Sequence, residues 1–204
     1  MNDNSRLIRL LGVPALLGGI IAVFLIVAFD QTGWGSPGTS AYQTYERLNR
    51  LMAGALLMMT TGWLGMVLWL SKGYGRWPAA FAFISSLLMA GGVAAEFWLY
   101  SDLPYREVNM RSAAFSLFSL SSLALDLSVT VLGISLWRSR LWPRWSALIL
   151  LFALPLDLFA FFGLDSIFLA ATILALVVGG HLVLFKASSA ELGTAFIRQQ
   201  ENRF

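Results

Sequence analysis

Three acidic residues in this sequence stand where an acid is costly. Glu96, Asp126 and Asp157 each fall inside a long apolar run. A carboxylate at the centre of a membrane helix costs roughly 2.5–3.5 kcal/mol on insertion scales, and less near the ends. An acid kept at such a place is a functional candidate by default. In apolar surroundings a carboxyl group can hold a proton, pair with a cation, hydrogen-bond a ligand, or act as a general acid on a lipophilic substrate. Asp126 and Glu96 are the candidates for the acid role, although no catalytic set is assigned. Glu96, Asp126 and Asp157, together with Ser122 and Arg111, are the candidates for ligand binding. Each has a structural alternative. Glu96 would pair with Arg111 or Arg50, and Asp126 would stay neutral and bond to nearby serines.

Spacing aims these groups inward. Ser112, Ser119, Ser122, Asp126 and Gly133 recur at three-, four- and seven-residue steps, which makes one small, polar stripe on a helix. Ser85, Gly92 and Glu96 do the same one helix earlier. Stripes of small residues let membrane helices approach closely, and Gly91-Gly92 and Gly179-Gly180 read as further points of close approach. By depth the three acids fall at or beyond the membrane midplane on one side, which predicts a polar cavity between the third, fourth and fifth helices, open to the outside. The single histidine, His181, falls in the opposite half and reads as an interfacial or packing residue.

Composition dictates the kind of molecule that holds these groups. The 204 residues are 58% hydrophobic and 12% charged, with a mean hydropathy of +0.72. Soluble domains are about 25% charged, so too little polar surface remains to coat a water-soluble globule. The absence of cysteine excludes disulfides, thiolate metal sites and cysteine nucleophiles. No nucleotide-binding loop, Gly-x-Ser-x-Gly or His-Glu-x-x-His motif is present, and no cofactor is expected. The net charge of +3 sits at membrane boundaries and does not point to nucleic acid.

A spanning helix needs about 20 apolar residues. Six stretches qualify, at 10–29, 51–70, 78–100, 113–136, 146–162 and 167–187, the fifth interrupted by Pro155. The expectation is an all-α membrane protein with a single six-helix domain over 1–187. A cytoplasmic tail, 188–204, would form either a short interfacial helix capped by Ser188 and Glu191 or a frayed terminus. The first stretch, preceded by Arg6 and Arg9, is too long for a signal peptide and lacks a cleavage site. Arg6, Arg9, Lys72, Arg76, Arg138, Arg140, Arg144, Lys186, Arg198 and Arg203 fall on one side, against Arg47, Arg50, Arg106 and Arg111 on the other. The positive-inside rule makes the first side cytoplasmic and places both termini there. Trp69, Trp77, Trp137, Trp142 and Trp145 would anchor the inner boundary, and Trp34, Trp98, Tyr100 and Tyr105 the outer one. Ser40 and Gln43 predict a capping box with the second helix starting near residue 41, and Glu46 and Arg50 an i,i+4 pair.

Residues 64–77 and 132–145 align without a gap, with seven of fourteen positions identical. Both would turn at the inner face, which predicts a duplicated hairpin of helices two–three and four–five. Three functions fit these features. The first is a ligand-binding, transport-related or accessory protein of the cell membrane. Its partners would be membrane lipids, a small lipophilic or cationic ligand, and a second copy or a larger membrane complex. The second is an intramembrane acid–base enzyme of the isomerase or cyclase type. The third is a secondary transporter that dimerises.

Overall fold

The computed structural model describes residues 3–32, 38–70, 75–103, 109–140, 142–164 and 168–184. These form α1 (Asp3–Thr32), α2 (Ser40–Trp69), α3 (Arg76–Ala94) with a π-helical turn at Ala95–Leu99, α4 (Met110–Ser139), α5 (Arg144–Leu151), α6 (Ala153–Leu164) and α7 (Leu169–Val183). Among the described residues, four helices are long and apolar enough to cross a membrane: Ser5–Thr32, Ser40–Trp69, Arg76–Leu99 and Met110–Ser139. The remaining two stretches differ from the expected spans. Residues 146–162 divide into α5 and α6, and the last apolar helix is the 15-residue α7. The tail at 188–204, with its expected cap, lies outside the described residues.

The division at Phe152 follows from Pro155. Proline has no N–H, and its ring collides with the carbonyl four residues earlier, here that of Leu151. The helix bends at that point without parting, because Phe152 N still donates to Leu148 O (3.0 Å) and Leu156 N to Phe152 O (2.9 Å). Ends elsewhere follow capping chemistry. Thr39, one residue before the expected cap, is the N-cap of α2 and accepts from Tyr42 N at 3.2 Å. Asn109 and Ser112 form a reciprocal capping box that starts α4 three residues earlier than its hydrophobic run suggests.

Neighbouring helices pack in chain order: α1 on α2, α2 on α3, α3 on α4, α4 on α5 and α6, and α7 back on α6 and α1. Leu, Ala, Met and Val side chains fill the interior, while Phe24, Leu10, Leu120 and many others stay exposed around the outside. An apolar exterior of this extent suits hydrocarbon, not water. Two glycines set the spacing that matters for the site. A Cβ at Gly92 would lie 2.7 Å from Phe118 N, so α3 and α4 touch through backbone. One at Gly133 would collide with the backbone nitrogen of Leu151, which closes α4 onto α5. Gly179 likewise meets Leu16 of α1, whereas Gly91 and Gly180 face open space.

Candidate functional site

Asp126 and Asp157 meet. The Gly133 contact fixes α4 against the end of α5, and two turns along α4 the same register brings the Asp126 carboxyl within hydrogen-bonding reach of Asp157 on α6. Asp126 is buried (2% exposed) and Asp157 half-buried. Asp126 Oδ2 has no hydrogen-bond partner among the described residues, and neither does the buried Thr130 Oγ1 one turn further along α4. Thr130 departs from its helix in this. Ser116, Ser119, Ser128 and Ser135 of α4 each donate to the carbonyl four residues back, at 2.7–3.0 Å, the usual outlet for a helical hydroxyl. Two carboxyls in an apolar setting repel when both are charged, and a proton or a cation relieves the repulsion. The serine stripe is only partly confirmed. Ser122 is half-buried one turn before Asp126, but Ser119 is exposed, because the buried face of α4 runs through Phe118, Ser121, Leu125, Val129, Leu132 and Leu136.

Glu96 and Arg111 belong to a different cluster, at the end of the bundle where α3 stops and α4 starts. Arg111 is buried (3% exposed). Its Nη1 donates to the carbonyls of Ser101 (2.9 Å) and Leu103 (3.0 Å). Its Nη2 donates to Tyr42 Oη (2.8 Å) and to Glu46 Oε1 (3.3 Å), and the guanidinium lies 5.7 Å from the Phe97 ring centroid. Arg50 Nε donates to Phe97 O at 2.7 Å. The last carbonyls of a helix lack partners within it and carry partial negative charge; here the two arginines supply the donors. Glu46 therefore pairs with Arg111 of α4, where sequence spacing suggests Arg50. Glu96 is buried (3% exposed) in the π-helical turn beside Tyr45. Its neighbours make this a polar clamp of α2, α3 and α4.

The two clusters do not share a cavity. Gly92 lies level with Ala114 and Phe118, so Glu96 stands about one turn beyond them, near Ser112. Asp126 is fourteen residues further along α4, on the order of 20 Å at a helical rise of 1.5 Å. Among the described residues α3 does not pack against α5 or α6. The expectation that Glu96, Asp126 and Asp157 line one cavity between the third, fourth and fifth helices is thus corrected: the structure joins Asp126 with Asp157 and sets Glu96 with Arg111 elsewhere.

At the opposite end of the bundle, Trp142 is buried and packs 4.2 Å from His181 and 6.2 Å from Trp69, measured between ring centroids. Of the two roles its position allowed, His181 takes the packing one. Trp142 is not a boundary anchor, since its ring lies inside; Trp77, Trp137 and Trp145 remain exposed as anchors should.

The helices and their exposed apolar surface define a multi-pass helical-bundle membrane protein. The chain is 26% identical, over 167 aligned residues, to a protein of Mycobacterium leprae (strain TN) named as a probable triacylglyceride transporter. The match covers 66% of this chain and 32% of that relative, so the chain spans about a third of its length. No protein-family model matches, and no solved structure matches significantly.

Proposed function

We propose that the chain is a transport-related protein of the cell membrane whose solute is a lipophilic molecule of the acylglycerol class. The observation that carries the reading is the Asp126–Asp157 pair, two carboxyls in an otherwise apolar contact between α4 and α6. A single proton shared by such a pair relieves the repulsion between two carboxylates, and a change in the surroundings releases it. A proton taken up or released there biases the packing of the bent α5–α6 segment against α4. The relative named for triacylglyceride transport supports the choice of solute. A photoactivatable acylglycerol added to membranes containing the full chain should label peptides from α4 and α6. Labelling confined to α1, or the absence of labelling, would contradict the proposal.

Six spans with both termini inside complete this reading. In that arrangement α5 and α6 together form the fifth span and α7 the sixth, and the ends repeat the charge asymmetry of the sequence. The shared residues at 64–77 and 132–145 support a duplicated hairpin, as does the exposure of both Trp77 and Trp145 at equivalent positions. A cysteine replacing Asp102, exposed after the π-helical turn, should react with an impermeant thiol reagent in intact cells. One replacing Ser139 at the end of α4 should react only after lysis. Reaction of Ser139→Cys in intact cells would reverse the orientation.

A further inference from the structure

From the unpartnered atoms beside the acid pair, we propose that Asp126 and Thr130 form a subsite for the free hydroxyl of a neutral lipid, such as that of a diacylglycerol. The inference rests on the lipophilic solute proposed above and narrows its class. Asp126 is buried, and its Oδ2 is an acceptor with nothing to accept from among the described residues. Thr130 Oγ1, buried one turn away on the same helix, is a hydroxyl with no partner either. Polar groups shielded in this way are costly unless something satisfies them.

Geometry and chemistry together select the ligand. Residues four apart on a helix present their Cβ atoms about 5–6 Å apart, so one oxygen placed between them reaches both at hydrogen-bond length. A hydroxyl donates to Asp126 Oδ2 and accepts from Thr130 Oγ1–H with the same atom. An ammonium group only donates and would leave the Thr130 proton unused. An ester carbonyl only accepts and would leave Asp126 Oδ2 unused. Register supports access for the rest of the lipid. Thr130 falls between the Gly133–Leu151 and Asp126–Asp157 levels, opposite the bend at Phe152. The apolar side chains of Phe152, Leu127 and Val131 are exposed nearby and provide surface for acyl chains.

The test compares 1,2-dioleoylglycerol with its 3-O-methyl ether, in which the hydroxyl proton is replaced and the acyl chains are the same. The two lipids compete against a photoactivatable acylglycerol on the full-length protein in nanodiscs. The free hydroxyl should bind about tenfold more tightly, the equivalent of one net hydrogen bond. Thr130→Val should lower the affinity for both lipids, because the ether oxygen also accepts from Thr130 Oγ1–H, while the preference for the free hydroxyl, which donates to Asp126, persists. Equal affinities of the wild-type protein for both lipids would overturn the subsite and leave the lipophilic-solute reading standing. Binding of neither lipid would overturn both. The wild-type comparison alone decides the matter, whatever the folding of the variant.

Discussion

Arg111→Met is expected to lower the melting temperature in detergent by an amount on the order of 10 °C. Arg111 spends its guanidinium on two carbonyls of the turn after α3, the Tyr42 hydroxyl and the Glu46 carboxylate. The backbones of α2 and α4 do not pack on one another, so these bonds tie the two helices directly. Methionine fills the volume but leaves Glu46, which is itself largely buried, without its counter-ion. Removing one partner of a buried pair costs roughly 3–5 kcal/mol, because the other charge is then uncompensated. For a chain of this size each kcal/mol shifts the midpoint by about 2–4 °C. Two further variants separate charge from shape. Arg111→Lys keeps the charge and loses the fork, so it should fall between wild type and Arg111→Met. Adding Glu46→Leu to Arg111→Met should recover part of the loss, since it removes the stranded carboxylate. A melting temperature unchanged in Arg111→Met would mean that the clamp contributes nothing.

The helices were legible because membrane insertion depends on composition over long windows, and α1 to α4 contain the apolar runs that predicted them. Their ends were less so. Hydropathy cannot see that Thr39 and Asn109 cap helices, since both precede the apolar segments they start. Pro155 announced a disturbance, but its visible effect falls three residues earlier, at Phe152, where the ring meets the backbone of the preceding turn. Glu96, Asp126 and Asp157 stood out by their cost in hydrocarbon. Which of them meet was not legible, because that depends on the register of antiparallel helices, set here by Gly92 and Gly133 at backbone contact. The Arg111–Glu46 pair joins residues 65 apart in sequence, and a local i,i+4 rule favours Arg50 in its place. Trp142 misled because an interfacial tryptophan and a buried one share the same flanking residues; the ring of His181 on α7 decides between them. The π-helical turn at Ala95–Leu99 left no sequence signal that composition or periodicity could detect.

Asp126→Asn is expected to leave the protein folded and abolish the proposed transport. The amide matches the carboxyl in shape and keeps an oxygen that accepts a hydrogen bond, so the α4–α6 contact with Asp157 survives. The amide cannot release a proton. If packing there is coupled to protonation as proposed, loss of proton exchange should reduce the rate by at least about a hundredfold, roughly 2.7 kcal/mol at about 1.36 kcal/mol per tenfold. Asp126→Leu is expected to be worse for stability, because it strands the Asp157 carboxyl. A leucine variant that is as stable and as active as wild type would place Asp126 outside the site altogether.

The most direct measurement is the transfer of a fluorescent acylglycerol between the leaflets of proteoliposomes, with and without an imposed pH gradient. Wild type and Asp126→Asn would be reconstituted at matched amounts after confirming equal melting temperatures. Transfer by the wild-type protein should accelerate with the gradient, and transfer by Asp126→Asn should be no faster than in protein-free vesicles. Equal transfer by the two proteins, or wild-type transfer indifferent to the gradient, would contradict a transport role for the Asp126–Asp157 pair.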